Sequence, residues 1–230
     1  MMSRQEKGIV IGSHFILLLA AASCAVPFLL MFAASLTGER SLAAAGYWFI
    51  PREFSTAAYN YLWLQKYSIF RAYGITIFTT VVGTAVSLFM TVLLAYPLSM
   101  SRLPGKGIVL FFVVFSMLFN GGLVPTYIMY TQYFHIKNTI WSLIVPNMLM
   151  NAFNVLLIRN YFAGIPHEMI EAGRIDGAGE YMILSKIILP ISAPILATVG
   201  LMNGLAYWNN WYNGLIYLSD DKLYSIQVML

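Results

Sequence analysis

Polar and apolar positions divide the chain into long uncharged runs separated by short charged ones. Asp, Glu, Lys and Arg are absent from residues 8–38, 72–101, 107–136, 138–158 and 187–219. Each run exceeds the about 20 residues with which an α-helix crosses the hydrocarbon core of a bilayer. None alternates with a period of two, and only helices or closed barrels satisfy their own backbone in lipid. The pattern predicts five spanning helices, at about 9–36, 72–100, 107–132, 138–160 and 187–217, in one all-α polytopic domain covering residues 1–230. The polar segment at about 161–186 reads as a helix–turn–helix elbow beside the membrane. Pro166 suits a first helical position, because its missing N–H would have no intrahelical partner. A short helix is expected from His167 to Arg174, and Asp176-Gly177 is a turn signal. A second helical run, 181–189, then leads straight into the fifth span.

Composition agrees with a membrane protein: 60% of the 230 residues are hydrophobic, 10% are charged and the mean hydropathy is +0.74. The net charge of +4 is spread over the loops, which leaves no footprint for nucleic acid. Cys24 is the single cysteine, so an intrachain disulfide is excluded, and no Cys/His cluster points to a metal. Ala21-Ala22-Ser23-Cys24 faintly resembles a lipoprotein cleavage site. The apolar run around it continues to Leu36, beyond the about 7–15 residues of a signal-peptide core, and therefore reads as a retained first helix. No GxxxxGK[ST] loop is present for binding nucleotide phosphates.

Two other stretches suggest contact surfaces. Residues 37–71 carry Tyr47, Trp48, Phe49, Phe54, Tyr59, Tyr61 and Trp63. Aromatic rings favour the membrane–water interface, and the alternative is a face for an external protein. In the third span, Asn120-Gly121-Gly122 and Pro125 weaken and kink the helix, and carbonyls freed by such a break must face protein or a water-filled path; the alternative is a simple packing kink, with Gly letting a neighbouring helix approach.

The fourth span presents Asn147, Asn151 and Asn154, spaced four and three apart, which puts all three amides on one helical face. The fifth span presents Gly200, Asn203, Tyr207, Asn210 and Gly214 in the same way, with Trp208, Trp211 and Asn213 close by. Amides beside aromatic rings suit a neutral polyhydroxyl solute: amides bond hydroxyls and rings stack on apolar sugar faces. The other reading is helix packing, since Asn commonly bonds a neighbouring helix in membranes. Apart from Arg159 at the end of the fourth, the spans hold no fixed charge for a charged substrate.

The residues Glu171-Ala172-Gly173, then Gly177, then Ile187, Leu189 and Pro190 match the spacing of the EAA motif, with Gly173 where Ala is usual. With Asp176-Gly177-Ala178, the chain resembles the permease subunits of carbohydrate-type ABC importers, of the maltose-permease (MalG) type. The resemblance implies a type I importer (MetI-like) bundle, in which a sixth span follows the five visible in these 230 residues. It implies that Glu171, Ala172, Gly173, Asp176, Gly177, Ala178, Leu189 and Pro190 form or flank a cytoplasmic coupling helix docked on an ATPase. Asn203, Tyr207, Asn210, Trp211, Asn147, Asn151 and Asn154 are the candidates for the substrate pathway.

The implied partners are a second homologous permease, ABC ATPase subunits, an extracytoplasmic solute-binding protein and membrane lipid. The chain itself would hold no cofactor and catalyse no reaction, with ATP and Mg bound by the ATPase subunits. The implied place is a bacterial plasma membrane, with the N-terminus cytoplasmic. Basic residues then number seven inside (Arg4, Lys7, Arg102, Lys106, Arg159, Arg174, Lys186) and six outside, a bias of the expected sign but small. The alternatives are an ABC permease for another neutral solute, or a stand-alone channel or secondary carrier. A carrier would normally show ionisable residues near the midplane, which this chain lacks.

Overall fold

The first predicted span is a single helix, α1 (Arg4–Ser35), which continues past Pro27. The computed structural model describes residues 4–100 and 103–230, the side chains of residues 4–9 excepted; Arg102 and the side chains of Arg4 and Lys7 thus lie outside the described residues. Residues 1–67 and 68–230 form two compact units. In the first unit, α1 is followed by α2 (Glu39–Ala45) and α3 (Ala57–Leu64). The turn between α1 and α2 and the stretch before α3 are clipped together where Gly38 N–H donates to Glu53 O and Ser55 N–H to Leu36 O. All seven aromatics singled out between residues 47 and 63 are exposed. That fits rings seated at an interface.

The second unit is built on α4 (Lys66–Ser99), 34 residues long. Its buried stripe is small or hydroxylic: Ala72, Thr76, Thr79, Gly83, Ser87 and Thr91 recur three or four residues apart. Small side chains at helical spacing let a neighbouring helix approach closely, which substitutes in lipid for the hydrophobic drive available in water. The third predicted span is broken as the sequence suggests: α5 (Lys106–Leu118) bends by 114° into Leu123–Tyr133, whose first part is α6 (Leu123–Ile128). Gly122, at φ +84°, occupies the corner.

The fourth predicted span requires correction. Residues 138–160 are not one helix but a short α7 (Trp141–Ile144), an irregular stretch, and α8 (Ala152–Ala163). At 1.5 Å per residue, α8 is about 18 Å long, well short of the about 30 Å hydrocarbon core. Pro146 lacks the N–H that would continue the α7 ladder, and Asn147 turns the chain at φ +59°. The fifth span departs as well. The elbow passes through α10 (Glu180–Ile183), a π-helical turn at Leu184–Ile188 and α11 (Leu189–Ile191), then bends by 82° at Ser192. Beyond it run α12 (Ala193–Trp208) and α13 (Tyr212–Tyr217). Pro194 cannot donate to the carbonyl of residue 190, so the second elbow run does not lead straight into the membrane. The core packs Leu98 of α4, Val155, Ile158 and Phe162 of α8, Ile183, Ile188 and Val199. The last helix, α14 (Ile226–Met229), returns to α4, where Ile226 N–H donates to Thr76 Oγ1 at 2.9 Å.

Candidate functional site

The elbow forms as its sequence dictates. Helix α9 (His167–Ile175) begins one residue later than a first-position Pro166 would have it, since Pro166 sits at the N-cap with ψ 128°. Its end is a Schellman closure: Ala178 N–H donates to Gly173 O at 2.9 Å and Gly177 N–H to Arg174 O at 3.0 Å. This closure needs a left-handed residue, which is Gly177 at φ +81°. Asp176 is the C-cap, and Gly177 projects into open space.

Gly173 is the buried residue of α9. A Cβ there would lie 2.8 Å from Ile187 Cδ1 and 3.4 Å from Ile183 Cγ1. The departure from the usual Ala thus coincides with a close crossing of the two elbow helices. Leu189 and Pro190 lie in α11, just before the bend.

Charged groups tie the elbow to α4. Arg174 donates from Nε and Nη2 to Glu180 Oε1 at 3.0 and 2.8 Å, and Tyr96 Oη donates to Glu180 Oε2 at 2.7 Å. Tyr96 packs edge-on to Phe162, and Arg159 Nε caps α4 by donating to Leu98 O at 3.1 Å. The Arg174–Glu180 pair is about half exposed, so its value lies in orientation more than in stability. Tyr96 was not among the sequence candidates, because a lone Tyr at the end of an apolar run carries no distinguishing spacing. Beside this link lies a cavity of about 410 Å³, with His167, Ile170, Glu171 and Arg174 on its elbow side. Glu171 and Ala172 are exposed, and among the described residues Glu171 has no hydrogen-bond or ion-pair partner.

The amide groups occupy a different setting. Asn147, Asn151 and Asn154 do not share a helical face, because the helix supposed to carry them is interrupted. Asn147 is in the turn, Asn151 is the N-cap of α8 whose side chain accepts from Phe153 and Asn154 N–H, and Asn154 alone lies within α8. Asn154 Nδ2 donates to Asn203 Oδ1 at 2.8 Å, and Asn203 Nδ2 donates to Ser87 Oγ at 3.0 Å. This chain of bonds joins α8, α12 and α4 in the interior, with Asn154 4% and Asn203 7% exposed.

Three further side chains close the gap in the fourth segment. Tyr207 Oη donates to Ile144 O at 3.0 Å, Asn210 Nδ2 to Leu143 O at 3.3 Å, and Asn213 Nδ2 to Pro146 O at 3.0 Å. Carbonyls released by a break cannot be satisfied by lipid, and here α12, α13 and the turn between them supply the donors. Tyr207 reaches its carbonyl by crossing Gly83 of α4, where a Cβ would lie 2.5 Å from the ring. Asn203 and Tyr207, two of the pathway candidates, both point into the protein in this structure. Trp211 is exposed at the start of α13 and stacks edge-on against Tyr212. The signals that sequence reading passed over were Pro146 followed by Asn147, a break within a nominal span, and Gly83 on α4.

With this geometry in place, comparison with known proteins gives consistent results. The family model described as "Binding-protein-dependent transport system inner membrane component" matches residues 77–212. Protein LplC of Bacillus subtilis (strain 168) is 38% identical over 205 residues, which cover 89% of this chain and 68% of that protein. The polygalacturonan/rhamnogalacturonan transport system permease protein YtcP of the same organism is 37% identical over 214 residues, covering 93% of this chain and 74% of that protein. A crystal structure of a bacterial ABC transporter involved in the import of the acidic polysaccharide alginate superposes with a TM-score of 0.87 and 28% identity, covering 100% of this chain and 81% of that one.

Proposed function

The chain belongs to the family of binding-protein-dependent transport system inner membrane components, and from that premise we propose that it is a permease subunit forming half of the pathway of a carbohydrate importer. Carbohydrate as cargo is supported by relatives whose names specify galacturonan, arabinooligosaccharide and melibiose/raffinose/stachyose transport. The elbow at about 161–186 is the contact for an ATPase subunit, which would hold ATP and Mg. A second homologous permease would complete the pathway, and an extracytoplasmic binding protein would deliver the solute. The setting is a bacterial plasma membrane with the N-terminus on the cytoplasmic side.

The observation that carries the coupling assignment is the contrast between Glu171 and Glu180. Glu180 is held by Arg174 and Tyr96, whereas Glu171 is exposed and unpaired among the described residues, one turn away on the same short helix as Arg174. An acidic group that is exposed and has no partner among the described residues can meet a basic group of another subunit. Once desolvated and hydrogen-bonded there, it matters far more than an exposed pair. Movement of the ATPase subunits would then reach α4 through Arg174, Glu180 and Tyr96, and α12 through the bend at Ser192, as a rigid two-state displacement.

Glu171→Lys reverses that charge, and Gly177→Val opposes the positive φ of the Schellman closure at a cost of about 1–2 kcal/mol. Both substitutions are expected to lower co-purification of the ATPase and abolish ATP-driven uptake, while the helices still insert. Full ATPase retention with normal uptake in both variants would refute the elbow assignment. Orientation is tested at Ile175, which is 85% exposed. In a Cys24→Ser background, Ile175→Cys should react with an impermeant thiol reagent only after the cells are permeabilised.

A further inference from the structure

We propose that the corner between α5 and α6 holds a subsite for one neutral sugar ring, resting on the reading of the chain as a carbohydrate permease. An open cavity of about 230 Å³ lies there, lined by Asn120, Gly122, Thr126, Asn147, Tyr212 and Tyr217 with Leu123. Its position follows from the two breaks in the spans: Gly122 turns the third at φ +84°, and Asn147 turns the fourth at φ +59°. Both irregular stretches meet there opposite α13, and non-helical backbone within a bilayer is tolerated where it faces protein or a polar space.

The polar groups lining this cavity are mostly unspent. Asn120 Oδ1 accepts from Gly122 N–H at 2.8 Å and Thr126 Oγ1 donates to Gly122 O at 2.6 Å, which fixes the corner itself. Among the described residues no hydrogen bond engages the Asn120 amide nitrogen, the Asn147 side chain, or the hydroxyls of Tyr212 and Tyr217. Tyr217 is nevertheless 1% exposed, its ring held between Tyr127 (5.8 Å, stacked) and Tyr130 (6.1 Å, edge-on). Asn203, Asn210 and Asn213 by contrast are spent on neighbouring helices and carbonyls. The free set mixes donors with acceptors and contains no charge, the chemistry that hydroxyl groups satisfy in both directions. Tyr212, 42% exposed, and Leu123 add apolar surface for a ring face.

Charge and volume narrow the ligand class. A uronate would need a cation, and the nearby Lys137 does not line the cavity. Its Nζ donates to Tyr127 Oη at 3.0 Å and lies over that ring. The volume falls below the about 300–1,000 Å³ of pockets that enclose drug-sized ligands. It therefore admits one ring at a time, with the remainder of an oligosaccharide outside.

Saturation-transfer NMR on the assembled transporter in lipid nanodiscs, without binding protein, tests the site. The probes are methyl α-D-glucopyranoside, methyl α-D-galactopyranoside and D-galacturonate. Saturation of the ring protons of a neutral glycoside is expected, with weaker transfer to galacturonate. Asn147→Gly keeps the left-handed turn while removing the amide, and Tyr217→Phe keeps the ring stack while removing the hydroxyl. Each should weaken neutral-glycoside binding by about two- to ten-fold, the loss of one hydrogen bond. Absence of transfer from both neutral probes, undiminished transfer in both variants, or preference for galacturonate would each overturn the subsite. ATP-driven oligosaccharide uptake by the wild-type complex in proteoliposomes separates the two readings. Uptake without a cavity signal sinks the subsite alone, whereas no carbohydrate uptake at all sinks the carbohydrate reading and the subsite with it.

Discussion

Helix α4 and the segment spanning residues 138–163 are equally free of acidic and basic residues through their apolar stretches, yet one is a continuous 34-residue helix and the other is broken near its middle. Their polar side chains differ accordingly. On α4 the hydroxyls of Thr76, Thr79 and Thr91 bond back to carbonyls of their own helix three or four residues earlier. Around the broken segment, Tyr207, Asn210 and Asn213 reach across from another part of the chain to Ile144, Leu143 and Pro146. A hydropathy profile reports the medium a segment lies in. Whether its backbone is continuous depends on donors placed elsewhere in the sequence.

Substitutions that disturb this contrast should grade in a definite order, measured as unfolding free energy by steric trapping in bicelles. The largest effect is expected for Gly83→Ala, at about 3 kcal/mol, because the new methyl displaces the Tyr207 ring and also strips Ile144 O of its donor. Smaller losses in Gly83→Ala than in Asn213→Leu would show that the ring has room to move. Asn213→Leu leaves the Pro146 carbonyl bare and should cost about 1–2 kcal/mol. Asn203→Leu removes the middle of the Asn154–Asn203–Ser87 chain and should cost about 0.6–1.7 kcal/mol, the range of hydrogen bonds between membrane helices. If Asn203→Leu instead left stability intact and reduced uptake, its side chain would belong to the solute path. The smallest change, at most about 0.6 kcal/mol, is expected for Thr91→Val on the continuous helix, since its hydroxyl bonds a carbonyl already served by the helix ladder. Equal costs for Thr91→Val and Asn213→Leu would erase the distinction between the two segments.

The same contrast explains what could be read from the sequence. The elbow was legible because its determinants are local: Gly177 and the polar residues around it specify a closed, exposed helix end within a few positions. The third-span break was legible for the same reason, with two glycines and a proline in six residues. The fourth-span break was marked more weakly by Pro146-Asn147, and amide spacing counted on an unbroken helix gave a face that does not exist. The interior placement of Asn203 and Tyr207 depends on Ser87, Asn154 and Ile144, which lie from 49 to 116 residues away in the chain. Spacing along one helix cannot report such partners, nor could it identify Tyr96 as the partner of Glu180, 84 residues on.

The crossing of Tyr207 over Gly83 also constrains how such a sequence can drift. Enlarging residue 83 either displaces the ring of residue 207 or calls for a smaller residue there, since the two share one space. A smaller residue 207 no longer reaches Ile144, so the turn after α7 must then find another donor or lose its break. Positions 83, 144–147 and 207 therefore act as one packing unit, in which a lone replacement is penalised and a compensated one needs several changes at once. Three stretches far apart in the chain are tied together by the width of one aromatic ring.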